Sequence, residues 1–258
     1  MTTKIENIAV ELLHQHQVGA QFTQLTGELA LTGVDEAYAA QWQFHQHAKP
    51  SRGEIGGRKI ALASAVQQQL CHIDHPIAGA IFANEIHTGS ARLQLSEYHG
   101  LGIEYELAIT LNEDTVPGTE YSQSQIESKI ATAHPAFEMI IDRGADYQSI
   151  DPLTMIADNA WCKGIVLGDN IVGRTDRPLD DLPITLDWDG EVQKGSTSAS
   201  NPLETLTWVV NLLSAHGQVL RQGEPVITGS VLKTLYPTGG EHISFAIDGL
   251  AQVELDIS

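Results

Sequence analysis

The chain has 258 residues, 42% of them apolar, with 33 acidic against 14 basic side chains and a formal charge of −19. That length buries a full core, as one large domain or one domain with a small extension. The acidic balance repels phosphate backbones and anionic lipid, which argues against nucleic-acid and membrane partners.

The first fifty residues read as helical. Thr3 to Glu6 fits a capping box, and Ile5, Ile8, Leu12 and Leu13 follow a helical stripe. A second helix is predicted over 34–47, ending before Pro50. The Gly-rich residues 53–57 then separate a helical extension, 1–52, from a main body, 53–258. In the body, 57–62 suggests a strand, 63–70 a short helix, 103–111 a strand and 122–133 a helix. Residues 136–141 and 164–167 read as buried strands. Asp189-Gly190 and Asp248-Gly249 mark hairpin turns within 184–194 and 245–256. One late helix is well marked, with Asn201 as cap, Pro202 first, Glu204 in the first turn and Gly217 at the exit. Many strands with hairpins and few helices predict an α+β fold, not a doubly wound parallel sheet.

Glu104 and Glu106 form the most informative pair. Side chains two apart on a strand share a face, so both carboxylates project together beside apolar neighbours. They repel each other unless a proton or a cation sits between them, and a hard divalent cation with oxygen ligands fills that role. A solvated edge strand with two exposed acids is the other reading. Residues 53–59 lack phosphate-loop spacing, because Arg58 stands where the second glycine belongs, and no GxGxxG or GxSxG occurs. Cys71, His72, Asp74 and His75 lack the distant ligand pair that a zinc site needs. His14 and His16, like His45 and His47, lie two apart on presumed helices, share no face, and are expected in solvent. Cys71 and Cys162 form neither a disulfide framework nor a CxxC pair, and the chain shows no signal-peptide pattern and no run of 18 apolar residues. A cytoplasmic protein is expected.

Several motifs taken in order resemble one family. They are Gly57-Arg58-Lys59-Ile60-Ala61-Leu62, Val66-Gln67-Gln68-Gln69-Leu70, Ile103-Glu104-Tyr105-Glu106-Leu107 and Pro135-Ala136-Phe137-Glu138. Ala157-Asp158-Asn159-Ala160, Asn201-Pro202-Leu203, Leu220-Arg221-Gln222-Gly223-Glu224 and Ile227-Thr228-Gly229 follow. This succession resembles the 2-keto-4-pentenoate hydratase and 2-oxo-3-hexenedioate decarboxylase branch of the fumarylacetoacetate hydrolase superfamily. The resemblance covers nearly the whole chain. It implies that superfamily's mixed β fold with a helical N-terminal extension.

The resemblance also implies a divalent metal, Mg²⁺ or Mn²⁺, held by three carboxylates, which fall on Glu104, Glu106 and Glu138. Lys59 falls on a pocket lysine, where a cation stabilises the enolate formed as a 2-oxo group is polarised. Burial beside a metal is expected to lower its pKa toward that of a proton donor, the alternative being a surface lysine in a Gly-rich turn. Thr228 and Gly229 fall on a segment that contacts the substrate carboxylate in relatives.

The chain departs from the pattern twice. Asn84 stands where the hydratases carry an aspartate, and an amide cannot act as a carboxylate base. Glu85 is the remaining proton carrier, although on an extended segment it faces the opposite way. Trp161 stands where relatives carry a small residue, usually serine, and is expected to fill or reshape the substrate cavity. The implied activity is a metal-dependent hydratase, a carbon–oxygen lyase that adds water to a 2-hydroxy-2,4-dienoate or related 2-oxo acid. Decarboxylation of a 2-oxo-3-enedioate is the alternative, and a poorly catalytic partner subunit that binds metal and oxo acid is a third reading. The family further implies a homo-oligomer and a complex with a related lyase. Arg92 and Arg143 are read as surface ion-pair residues or as contacts for a second substrate carboxylate.

Overall fold

In the computed structural model, which describes residues 3–258, the Thr3 hydroxyl opens the first helix, α1 (Lys4–Val18), by accepting the Glu6 backbone N–H. Ile8 and Leu12 of the predicted stripe are buried, with Ile5 and Leu13 packed beside them. A second helix, α2 (Val34–Arg52), lays Ala40, Phe44 and Ala48 on that stripe, and the pair meets the body at Phe82 and Ala157. This helix passes the expected end at His47 and runs through Pro50. The proline removes a single N–H from the last turn, and the Gly53 N–H still closes that turn on Lys49 O.

Strands follow from the glycines onward. They begin with β1 (Ile55–Ala61), the short helix α3 (Ala65–Leu70), β2 (Ile77–Phe82), β3 (Ile86–Thr88), β4 (Ser90–Leu93) and β5 (Leu101–Leu111). Next come α4 (Gln123–Glu127), β6 (Ile130–Ile141), α5 (Pro152–Ala157), β7 (Cys162–Leu167), β8 (Pro183–Trp188) and β9 (Glu191–Ser196). The chain ends with α6 (Pro202–Ala215), β10 (Val226–Ile227), β11 (His242–Ile247) and β12 (Ala251–Ile257). A seven-stranded sheet has the order β2-β1-β10-β5-β6-β7-β3, and a five-stranded sheet the order β4-β12-β11-β8-β9. The fold is α+β, as the hairpin-rich sequence predicts.

The helix expected over 122–133 is a correction. Only Gln123–Glu127 is helical, under a capping box at Ser122, and from Ile130 the chain is the long strand β6. Pairing with β5 along nearly its whole length outweighs local helix propensity there. Strand β2 has no sequence signature, because Ile77–Phe82 is buried on both faces and carries small residues without alternation. Both hairpin turns are present, and Asp189 and Gly190 share the positive φ of 51° and 92° that a two-residue turn of this kind demands. At α6, Asn201 adopts the left-handed conformation without a side-chain cap, and Asp180 Oδ1 accepts the Leu203 N–H at 3.0 Å instead.

The two-residue period of β5 divides its side chains cleanly. Tyr105 turns toward the five-stranded sheet and packs with Phe137 and Phe245, ring centroids 6.0 and 5.8 Å away. Glu104 and Glu106 take the opposite face.

Candidate metal centre and active-site cavity

Antiparallel pairing of β5 with β6 sets Glu104 directly opposite Glu138, with Glu106 two pairs along opposite Ala136. One carboxylate oxygen from each of the three acids lies within 4.8 Å of the others. Glu106 and Glu138 are fully buried and Glu104 partly so, which discards the solvated-edge reading. Among the described residues this is the one cluster of three or more potential ligands.

One downstream segment orients two of these acids. The Gly229 N–H donates to Glu106 Oε2 at 2.6 Å, and Thr234 Oγ1 donates to Glu104 Oε1 at 2.5 Å. Gly229 has φ 99°, a conformation open to glycine at little cost. Glu106 Oε1 and both oxygens of Glu138 are buried without a hydrogen-bond partner. Orphaned carboxylate oxygens in a dry interior are costly, and a small hard cation among them removes that cost. The donor set therefore fits a divalent oxygen-ligated metal.

Lys59 arrives on β1, which β10 joins to β5. Its Nζ lies 3.2 Å from Glu138 Oε1, a charge contact without hydrogen-bond geometry, and donates to Ala160 O at 3.1 Å. Burial pushes Glu138 up to about 7, with Glu104 adding to the rise and Lys59 opposing it. Glu106 is raised well above the carboxylate range, first by burial and then by the charges of Glu138 and Glu104. For Lys59, burial lowers the pKa, but Glu138, Glu104 and Glu106 outweigh it and hold the ammonium above its ordinary range. Burial thus acts on Lys59 in the expected direction, and the charges of the three carboxylates reverse it. Three carboxylates against one ammonium leave two negative charges, the charge of one dication.

A cavity of about 110 Å³ opens beside this cluster, lined by Lys59, Glu104, Gly229, Thr234, Tyr147 and Trp161 among others. Among its lining residues Lys59 is the one cation. Trp161 is buried between Phe22 and Tyr147 in edge-on contacts of 5.1 and 5.9 Å, and it lines the cavity. It ends a run of three non-glycine residues at positive φ, Asn159 at 58°, Ala160 at 47° and Trp161 at 63°. Each costs roughly 1–2 kcal/mol. This turn aims Ala160 O at Lys59, and only a glycine at position 79 admits it, since a Cβ there would lie 2.7 Å from Asn159 O.

Of the remaining expected site residues, Gly229 lines the cavity and Asn84, Glu85 and Thr228 do not. Asn84 is exposed and lines a separate cleft together with Glu85. Glu85 is held by both oxygens to Arg52 at 2.7 and 2.8 Å and contacts Lys163 at 3.2 Å. The 3-10 turn Ala83–Glu85 directs both residues away from Lys59. Thr228 gives its hydroxyl to Leu107 O at 2.9 Å and does not line the cavity. The Gly229 N–H is committed to Glu106, so neither group is free for a substrate carboxylate.

Arg143 is buried against Asp158 at 2.9 Å, whereas Arg92 pairs at the surface with Asp256. The expectation of solvent-exposed histidines fails for His45, which is fully buried, and for His16 and His47, which bond to Asp158 and Glu6. Thr234 and Tyr147 had no sequence signal. The Tyr147 hydroxyl lies 3.0 Å from Asp142 Oδ2 and 2.7 Å from the Tyr236 hydroxyl, a set that fixes its ring at the cavity wall.

No protein-family model matches the chain. It is 30% identical over 221 residues to the 2-keto-4-pentenoate hydratase of Burkholderia vietnamiensis, covering 84% of this chain and 83% of that protein. It is 27% identical over 254 residues to the 2-keto-4-pentenoate hydratase of Paraburkholderia xenovorans, covering 97% and 94%. Among solved structures, the 4-oxalocrotonate decarboxylase from Pseudomonas putida G7, complexed with magnesium and adipate, superposes with a TM-score of 0.89. That likeness spans 100% of this chain and 99% of the other at 21% identity, and it shows a shared fold.

Proposed function

The chain belongs to the 2-keto-4-pentenoate hydratase branch of the fumarylacetoacetate hydrolase superfamily, and on that premise we propose that it is a Mg²⁺- or Mn²⁺-dependent hydratase of a 2-hydroxy-2,4-dienoate. The observation that carries this reading is the carboxylate trio with its orphaned oxygens beside a cavity that holds a single cation. When bound by Glu104, Glu106 and Glu138, the metal supplies a Lewis acid for the carboxylate and 2-oxo oxygens of the substrate.

The protein's own groups do the rest. Lys59 is held by Glu138 and Ala160 O, which keeps its ammonium where negative charge develops on the 2-oxo oxygen. Ketonisation of the dienol leaves an enone, and water adds at its far carbon to give a 4-hydroxy-2-oxo acid. Neither Asn84 nor Glu85 lines this cavity, whereas the Lys59 ammonium does.

The cavity also favours a monocarboxylate over the dicarboxylate that a 4-oxalocrotonate-type decarboxylation requires. Beyond Lys59 its walls are uncharged apart from Glu104, and a second carboxylate would be desolvated without a partner. Assembly as a homo-oligomer and association with a related lyase belong to the same family reading, and sedimentation of the protein alone and with a decarboxylase tests both. No helix among the described residues is long and apolar enough to cross a membrane, and two free buried cysteines agree with a cytoplasmic setting.

The deciding experiment is NMR of the products from 2-hydroxypenta-2,4-dienoate and from 2-oxo-3-hexenedioate, with Mg²⁺ and then with EDTA. Metal-dependent hydration of the first supports the hydratase. Decarboxylation of the second alone replaces it with the decarboxylase. Turnover of neither, with Mg²⁺ bound, replaces both with a metal- and oxo-acid-binding partner subunit.

A further inference from the structure

The two helices that precede the sheets reach the cavity through two histidines. On α2, His45 Nε2 lies 2.7 Å from Asn159 Oδ1. The same oxygen accepts the Ala80 N–H at 2.7 Å, and Asn159 Nδ2 donates to Ala80 O at 2.9 Å. The strand thus fixes which end of the amide is the acceptor, and His45 must present Nε2–H to it, leaving Nδ1 bare and unpartnered. Burial pushes His45 down to about 3, which keeps the ring neutral in that tautomer. On α1, His16 Nε2 lies 2.6 Å from Asp158 Oδ1, while Arg143 Nη1 lies 2.9 Å from Oδ2 of the same buried acid.

Asp158 and Asn159 are consecutive and lead straight into Ala160, whose carbonyl meets Lys59, and Trp161, whose ring lines the cavity. We propose that the N-terminal helical segment is a positioning element of this active site, with His45 and His16 holding the 158–161 turn in the form that places Ala160 O and Trp161. Three successive non-glycine residues do not keep left-handed backbone by their own preference, so the surroundings must impose it. The Asn159 amide supplies both hydrogen bonds of a ladder rung to Ala80, and His45 closes the remaining side of that amide. Release of the turn withdraws a hydrogen-bond acceptor from Lys59 and lets the indole drift, without touching the three carboxylates.

The kinetic part of this inference rests on the hydratase reading, so the test carries a second readout. Full-length His45→Leu, His45→Gln and His16→Ala proteins are compared with wild type by turnover of 2-hydroxypenta-2,4-dienoate with Mg²⁺ and by calorimetric Mg²⁺ affinity. The third readout is the NMR resonance of the Trp161 indole N–H, assigned by its loss in Trp161→Phe. His45→Leu is expected to lower kcat about 10- to 100-fold, the scale of a misplaced group distant from the chemistry, at unchanged Mg²⁺ affinity. It also moves the indole resonance. His45→Gln, whose amide N–H again donates to Asn159 Oδ1, recovers most of both.

A folded His45→Leu with wild-type kcat and an unmoved indole resonance overturns the proposal, as does a His45→Gln no better than the leucine variant. If His45→Leu does not fold, His16→Ala decides: the same resonance moves if the helices position the turn and stays if they do not. Should wild type fail to turn over the dienoate, the hydratase reading falls, while the indole resonance still judges the positioning.

Discussion

Glu104 and Glu138 are direct cross-strand partners on β5 and β6, like charges set opposite each other on one face of the sheet. Glu106 joins them two residue pairs along, and Lys59 offsets one of the three charges. A strand pair built this way is poorly satisfied until a dication arrives. Replacing any one acid by alanine is expected to weaken Mg²⁺ binding by at least about 100-fold, beyond what loss of an orienting group does, with the fold retained. Thr234→Val, which removes only the hydrogen bond to Glu104, costs about 10- to 100-fold. Titration calorimetry reads both, and wild-type affinity in all three alanine variants removes the metal assignment.

Lys59→Met separates two roles of one side chain. Without the ammonium, kcat drops about 100- to 1000-fold, as when a donor to developing oxyanion charge is lost. Mg²⁺ affinity rises in the same variant, because Glu138 loses its competing partner. A methionine variant that binds Mg²⁺ more weakly would mean that Lys59 organises the ligands and does not compete with the ion.

The pH response follows from Glu138, whose folded value of about 7 lies above the ordinary 4.5. A raised folded pKa means that the metal-free fold holds its proton more tightly than the unfolded chain. This contribution to stability is fully present below about pH 4.5 and is lost as pH rises through about 7. Mg²⁺ replaces the proton, so the gap in Tm between Mg²⁺-saturated and EDTA-treated protein widens from about pH 5 to about pH 8. Glu138→Gln narrows it. A gap that shrinks with rising pH contradicts the burial of these acids.

Asn84→Asp is expected to leave hydratase turnover unchanged, because position 84 faces a different cleft from Lys59. Trp161→Leu acts on the cavity itself. It lowers KM for dienoates with longer apolar tails relative to the five-carbon substrate, and progress curves with both measure the ratio. A rise in turnover with Asn84→Asp would place that residue back in the chemistry.

Period-two alternation made Glu104 and Glu106 legible, since a strand fixes side-chain direction from sequence alone. Glu138 came only through family resemblance, because strand register across a gap of this size is set by tertiary pairing. Motif alignment misled at Asn84 and Glu85: a 3-10 turn at Ala83–Glu85 rotates both away from the cavity, and no residue type there announces it. His16 and His45 were misread because helix periodicity tells which residues share a face, not which face a neighbouring turn covers. Thr234 and Tyr147 matter through contacts with residues 130 and five positions away, and neither spacing forms a pattern.

The Gly229 and Thr234 donors stand 123 and 130 residues along the chain from the acids they orient. Closing contacts of such long range carries a loop-closure cost that the folded sheet must offset, so these donors are expected to reach the acids only after the central strands have paired. The ion therefore meets a finished fold and has little hold on the route to it. Its effect on kinetics is expected on the unfolding limb: in stopped-flow experiments Mg²⁺ should slow unfolding and leave the refolding rate unchanged.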